Sequence, residues 1–414
     1  MIDRVTIDAD GAKIGPESTQ IGCVHPQAIG ILPAMTDIAT MELSQDELLR
    51  SSGRLDRLRA RLAAEGLQAM VIEHEVDIWY LTGFVGHSAT LVVGPDVAAI
   101  LCDARYEEYL QPWASGGVHD VHIGPRHTVA QRIQHVAEQH ALGQLAFQSE
   151  HMTVATLQSF RSSLPDIDLI GTTGHLALLR SIKDGHEVSI IERCIEIQDL
   201  GLQAAISQLE LGMTEAEFTA LLEYEMRKLG ATGASFEPII ATGTNSSVIH
   251  HMPGSKPIQE GMLLIDWGAR VDGYCSDLTR TFCIGPMSEQ MQQLYDIVLS
   301  SQLAAIDACR PGADCADVDA AARSVIADAG YGEQFPHGLG HGLGMDVHES
   351  PNFSVKSAGT VLEPGMVMTV EPGIYLPGIG GIRVEDDVLI TESGHRVLSS
   401  ALNKSREASV IPLG

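Results

Sequence analysis

The stretch IDWGARVDGYCSDLTRTF, residues 265–282, carries two aspartates, Asp266 and Asp277, on either side of the turn signal Asp272-Gly273. A hairpin turning between Val271 and Asp272 sets their carboxylates opposite each other, with Cβ atoms roughly 4.5–5.5 Å apart. Unpaired like charges facing each other destabilise a hairpin, and a cation between them removes the conflict. The device recurs downstream. Glu371 in VMTVEPGIY and Glu385 in GGIRVEDDV share a midpoint at Gly378, so a second hairpin opposes two glutamates.

Histidines stand between and before these pairs. HGLGHGLGMDVHESP supplies His337, His341 and His348, and His250-His251 precede the first hairpin. The glycines argue against a helix, so this is not the helical His-x-x-x-His zinc pattern. Four carboxylates and one imidazole carry four negative charges, which two divalent cations balance. Oxygen-rich ligation with one nitrogen suits Mn²⁺, Co²⁺, Fe²⁺ or Zn²⁺. Such a pair of ions lowers the pKa of a shared water and clamps both ends of a displacement. Plainer roles stand beside these. Arg383 pairs with a nearby carboxylate, Glu385 or Asp386, or reaches a substrate. His251 is a neighbour of the site, Cys275 and Cys283 pack, and Asp386-Asp387 is solvated or hydrogen-bonded to backbone.

The elements that position these residues follow from caps and periodicity. Ser44-Gln45-Asp46-Glu47 is a capping box. Leu48, Leu55, Leu58 and Leu62 share a helical face, and Gly66 closes the helix. Strands are predicted at Met70–Ile72, Trp79–Thr82, Thr90–Val93, Val97–Cys102 and Leu145–Phe147. Helices are predicted over Val129–His140, from Thr153, and from about His186 to Leu209. Helices alternating with strands predict an α/β domain that ends near residue 178. Beyond it, Gly212 to Gly230 and Gly312 to Gly330 each read as a glycine, a cap, a helix and a closing glycine, 100 residues apart. Each precedes a strand-rich stretch with acids, which predicts an internal duplication. Residues 1–43 read as an irregular arm, with Met41 an alternative start.

The totals set bounds. The 414 residues are 44% apolar and carry a formal charge of −28, so a nucleic-acid backbone is an unfavourable partner. Seven scattered cysteines without a CxxC spacing suit free thiols in a reducing cytosol. No secretory pattern and no apolar run of about 18 residues occurs, so a cytoplasmic protein without a membrane partner is expected.

From about residue 180 to 405 the chain resembles the M24 "pita-bread" metallopeptidases, the family of aminopeptidase P, prolidase (Xaa-Pro dipeptidase), methionine aminopeptidase and creatinase. The region from about 45 to 178, with DIWYLTGF and the following LLRSIKDGHE, resembles the N-terminal domain of the aminopeptidase P, prolidase and creatinase branch. The resemblance implies an α/β (α+β) chain: an arm over 1–43, a creatinase-like domain over 44–178 and a pseudo-symmetric catalytic domain over 179–414. It implies Asp266, Asp277, His341, Glu371 and Glu385 as ligands of two divalent ions, Mn²⁺ first, with Glu371 also the general base for a metal-bridging hydroxide. It implies His250 at the substrate beside the scissile bond and His348 at the tetrahedral intermediate. His337 and Arg383 line or support the pocket, and Thr279 supports the site beside Asp277. The implied activity is cleavage of the Xaa-Pro bond at the N-terminus of dipeptides or short peptides by a homodimer. Proline there resists ordinary peptidases, because its nitrogen carries no N–H and its ring fixes φ.

Two other readings compete. One is a different hydrolase on the same fold. Creatinase-like chemistry needs no metal and lacks these ligands, and methionine aminopeptidase usually lacks the N-terminal domain. The other is a non-catalytic binding protein, which usually loses ligands or catalytic histidines. A dipeptidase also needs a receptor for the substrate's carboxylate, for which Arg105, Arg126 and His87 are candidates.

Overall fold

The computed structural model describes residues 43–412, and these lie in one compact unit. The arm expected over 1–43 falls almost wholly outside the described residues, as does Cys23.

The first half is built on caps the sequence announces. Helix α1 (Gln45–Ala64) starts at Ser44, whose hydroxyl accepts from Glu47 N–H while the Glu47 carboxylate reaches back. It buries Leu55, Leu58 and Leu62, and Gly66 follows at φ 72°. Then come β1 (Met70–Ile72), α2 (Glu75–Thr82), β2 (Thr90–Val93), β3 (Ala98–Cys102), α3 (Gln111–Ser115) and β4 (Asp120–Ile123). The half closes with α4 (Val129–Gln139), β5 (Gln144–Gln148), α5 (Val154–Ser163), β6 (Asp168–Thr172) and α6 (His175–Ser181). The six strands form one mixed sheet in the order β4-β3-β2-β1-β5-β6.

One expected element is of the wrong kind. Trp79–Thr82 ends a helix rather than forming a strand. Glu75 and Asp77 favour a helix N-terminus, and Gly83 at φ 73° donates its N–H to Trp79 O to close the helix. A short apolar run fits a buried helix as well as a strand, and the left-handed glycine decides between them.

The second half repeats itself. Helices α7 (Gly185–Ile206) and α8 (Glu215–Lys228) precede β7 (Gly233–Ala234), β8 (Ile239–Thr242), β9 (Gly261–Trp267), β10 (Ala269–Val271), β11 (Tyr274–Cys275) and β12 (Leu278–Ile284). Helices α9 (Glu289–Ala308) and α10 (Cys315–Asp328) precede β13 (Gly340–Gly342), β14 (Glu349–Phe353), β15 (Val367–Val370), β16 (Gly373–Leu376), β17 (Gly380–Arg383) and β18 (Asp386–Thr391). β19 (Gly394–Val397) and β20 (Val410–Ile411) complete the sheets. The duplication reaches individual bonds. Gly212 N–H donates to Ile258 O at 2.9 Å, and Gly312 N–H to Leu362 O at 2.8 Å. Ile258 N–H returns to Met213 O at 2.8 Å, and Leu362 N–H to Ala313 O at 2.9 Å. Each helix pair is therefore tied by the same clip to the chain that leads into its site strands.

The strands form a four-stranded sheet (β20-β12-β9-β8), a five-stranded sheet (β14-β13-β15-β18-β19), a three-stranded sheet (β11-β10-β7) and the ribbon β16-β17. One apolar cluster joins the first half to the second, running from Leu55 and Tyr80 to Trp267 and Leu278. A second lies under α9 and α10, with Val298, Val318, Met368 and Val388. The six described cysteines are free and buried, including Cys275 and Cys283.

Candidate metal centre and substrate cleft

The five expected ligands converge from strand ends. Asp266 is in β9, and Asp277 immediately precedes β12. His341 is the middle of β13, Glu371 follows β15, and Glu385 precedes β18. One ligand oxygen from each of Asp266, Asp277 and Glu385 lies within 4.8 Å of the others. His341 Nε2 closes the set, 3.7 Å from Asp277 Oδ2 and 3.4 Å from Glu371 Oε1.

The two hairpins differ from each other. The second has the expected register: β16-β17 and β15-β18 both keep pairs that sum to 756, which places Glu371 opposite Glu385. The first is shifted by two residues. Val271 pairs with Tyr274 and Asp266 with Thr279, so Asp277 is diagonal to Asp266 rather than opposite it. Asp272 and Gly273, at φ 46° and 84°, form the two-residue turn. The ladder breaks beside Asp277, where the Ser276 carbonyl presses on Gly268; a Cβ there would be 2.0 Å from it.

The donors fit a bound cation. Asp266 Oδ2 accepts from Arg383 Nη2 at 2.5 Å, and Glu385 Oε2 accepts from Thr279 Oγ1 at 2.7 Å. Their other oxygens, Asp266 Oδ1 and Glu385 Oε1, are buried without a partner. A buried carboxylate oxygen without a donor is costly, and a metal supplies what is missing. His341 is prepared in the same sense. Its Nδ1 faces Gly342 O at 3.0 Å and must donate, which leaves the Nε2 lone pair toward the acids. Burial pushes its pKa down to about 4, so the ring is neutral at pH 7. The acids are pushed the other way. Burial, then neighbouring carboxylates, holds Asp277 and Glu385 well above the usual range. Glu371 rises to about 8, chiefly by burial, against the pull of Arg383.

Supporting residues fill in what the sequence left open. Arg383 pairs with Asp266, not with Glu385 or Asp386. It also donates to Thr279 Oγ1 and Tyr375 Oη, both at 3.0 Å. Tyr375 Oη lies 2.9 Å from His337 Nε2, while His337 Nδ1 faces Gly338 O. Burial lowers His337 to about 4, so Tyr375 donates to a neutral ring. Tyr375 was missed; its sole signal was a phenol inside a glycine-rich hairpin. Thr279, two residues beyond Asp277, donates to Glu385. Asp386 and Asp387 are buried, not solvated. Asp386 binds Arg280 at 2.9 Å and Ser399 at 2.7 Å, and Asp387 accepts from Asp277 N–H at 3.3 Å.

These groups floor a cleft of about 720 Å³. His250, His251 and His348 line it, with apolar walls from Phe236, Ile249, Val347 and Phe353. His250 and His348 are exposed, and the His348 ring meets His341 edge-on at 4.3 Å. The His251 Nε2 is 2.8 Å from Glu215, which pins the loop that carries His250. The candidate carboxylate receptors stand elsewhere. Arg105 binds Asp103 and His87 binds Glu75, while Arg126 lines a separate cleft in the first half.

A duplicated strand core with a buried, oxygen-rich cluster at the base of a cleft suits a metallopeptidase. Family comparison agrees: residues 189–392 match metallopeptidase family M24, and 54–182 match the creatinase/prolidase N-terminal domain. The uncharacterized peptidase YqhT of Bacillus subtilis is 37% identical over 84% of this chain and 97% of its own. The solved structure of an Xaa-Pro dipeptidase from Bacillus anthracis superposes with a TM-score of 0.82, at 32% identity, over 88% of this chain and 100% of that one. An X-Pro aminopeptidase from Thermotoga maritima gives 0.78 at 31% identity, over 87% of this chain and 100% of that one. The chain belongs to metallopeptidase family M24.

Proposed function

We propose that this peptidase hydrolyses the bond between an N-terminal residue and proline in dipeptides or short peptides, using two divalent cations. The observation that carries the reading is the convergence of four carboxylates and His341, two of their oxygens orphaned, under a cleft rimmed by His250 and His348. Cations held by Asp266, Asp277, His341, Glu371 and Glu385 would polarise the scissile carbonyl and acidify an attacking water. Glu371 accepts the water's proton and returns it to the departing proline nitrogen. His348 donates a hydrogen bond to the developing oxyanion, and His250 holds the substrate beside the scissile bond. Arg383, fixed by Thr279 and Tyr375, keeps one Asp266 oxygen engaged and the other free. The apolar walls suit a proline ring. Mn²⁺ is the first ion to test.

The homodimer is part of the proposal. Among the described residues, Arg383 is the sole Lys or Arg lining the cleft, and it is committed to Asp266. A second subunit would supply the cation that a dipeptide's carboxylate requires.

The test is hydrolysis of Ala-Pro, Gly-Pro and Ala-Pro-Ala by metal-stripped protein after adding Mn²⁺, Co²⁺ or Zn²⁺. Metal-dependent cleavage of the dipeptides alone makes it a dipeptidase, and cleavage of the tripeptide gives aminopeptidase action. Metal binding without cleavage of any of the three refutes the substrate assignment.

A further inference from the structure

The stretches DIWYLTGF and LLRSIKDGHE supply no ligand, yet they meet beside the site. Arg180 is 6% exposed and lies in the last turn of α6, at the junction of the two halves. Its Nη1 donates to Asp77 Oδ1 at 2.8 Å, in α2 of the first half. Its Nη2 donates to Asp346 Oδ2 at 2.6 Å and to Glu349 Oε1 at 2.5 Å, in the catalytic half. Lys183 Nζ takes the other Glu349 oxygen at 3.0 Å. Asp77 is itself held by Gln148 at 2.6 Å and lies 2.9 Å from His74 Nδ1. The charges respond. Burial alone would raise Asp77 and Glu349, but their partners hold both below the ordinary range, Asp77 at about 2.

Asp346 and Glu349 bracket His348. Residues 344–348 belong to no strand; Gly344 O accepts from Cys275 N–H at 2.8 Å and Met345 O from Arg270 Nη1 at 3.2 Å, but no ladder continues to His348. Around His348 itself the anchors are side chains, Asp346 before it and Glu349 after it. Asp346 N–H also donates to Glu349 Oε1 at 3.2 Å, which closes the turn on itself. Gly344 leaves room for the carboxylate; a Cβ there would lie 2.5 Å from Glu349 Oε2.

We infer that Arg180 is a positioning residue for His348: a buried clamp, anchored on Asp77 of the first half, sets the turn that aims the imidazole into the cleft. The inference rests on the proposed role of His348 at the reacting peptide. It gives the first half a part in catalysis without contact with substrate. Fixed geometry is what such a group requires, since a displacement of about 1 Å costs about a hundredfold in rate.

Arg180→Lys cannot span three carboxylates. Asp346→Ala is the gentler cut, because its side chain is 38% exposed and its loss leaves Asp77 and Glu349 paired with Arg180. Both are made in the full, Mn²⁺-loaded chain, alone and with His348→Ala. Each single variant is expected to lower kcat on Ala-Pro about 5- to 50-fold, with KM within about twofold of wild type. In the His348→Ala background the further loss is expected to fall below about twofold, because both act through one group. Amide exchange over 344–350 is expected to accelerate about tenfold in both variants, whether or not metal is bound. Wild-type kcat in both variants, or losses that multiply in the His348→Ala background, would overturn the inference. Absence of any Xaa-Pro hydrolysis refutes the proposed function instead, and amide exchange then decides the clamp: unchanged exchange overturns it.

Discussion

At the residue scale, the two roles proposed for Glu371 are ones that a single substitution separates from folding. Glu371 lies 3.4 Å from His341 Nε2 and accepts from Thr369 Oγ1 at 3.3 Å. Glu371→Gln keeps the volume and removes the base. We expect kcat to fall about 10²–10⁴-fold while the circular dichroism spectrum is unchanged. Tyr375→Phe tests the supporting chain. It leaves Arg383 Nη1 and His337 without their shared hydroxyl. A loss of about 1–3 kcal/mol in urea unfolding is expected, and no change in midpoint would contradict this role. The cluster was legible because facing acids on apolar strands require a partner, and because three histidines between two acidic pairs are harder to dismiss than one. The Arg383–Asp266 pair was not legible. The two residues are 117 positions apart, on different hairpins, and sequence offers Arg383 only its own strand neighbours.

At the element scale, glycines let strands approach where ligands must meet. A Cβ on Gly340 would lie 2.1 Å from Thr369 O, which is backbone and cannot yield. Gly340→Ala should displace β13 and His341 with it. We expect weaker metal binding in isothermal titration and a lower unfolding temperature; wild-type values for both would show that β13 has slack. The register of the second hairpin was legible from its acids and loop. That of the first was misjudged by two residues, although the Asp272-Gly273 dipeptide marked the turn correctly. Centring on the turn residues rather than on the acids gives the observed pairing, since both take positive φ. The break at Gly268 and Ser276 then brings Asp277 diagonally within reach of Asp266. Helix α2 was misread because its final turn is apolar and its closing glycine lies just outside the run.

At the scale of the whole molecule, the site makes stability depend on pH and metal together. In the metal-free chain, burial raises Glu371 to about 8 and holds Asp277 and Glu385 well above the ordinary carboxylate range. Groups raised on folding stabilise while protonated, and that stability is lost as pH rises through the folded value. His337 and His341, lowered to about 4, act below pH 6.5, and Asp77, lowered to about 2, acts below its ordinary value. The window from pH 7 to 8 lies above those groups and below the ordinary thiol value of about 8.5, beyond which the buried cysteines, also raised on folding, add a loss of their own. Calorimetry across it should show the stripped protein losing stability as pH rises, while the increase on adding Mn²⁺ grows. A metal effect that does not vary with pH would contradict the raised carboxylates. The internal duplication was visible in capped helices 100 residues apart. The clamp between the halves was not, because Asp77, Arg180 and Asp346 are joined by folding alone.

The measurement that bears most directly on the account is metal stoichiometry. Stripped protein is dialysed against Mn²⁺, and bound metal is counted by mass spectrometry for wild type, Asp277→Asn and Glu385→Gln. Two ions per chain in wild type, and at most one in each variant, is the predicted result. No bound ion, or full occupancy in both variants, would contradict the reading that these paired acids exist to hold cations.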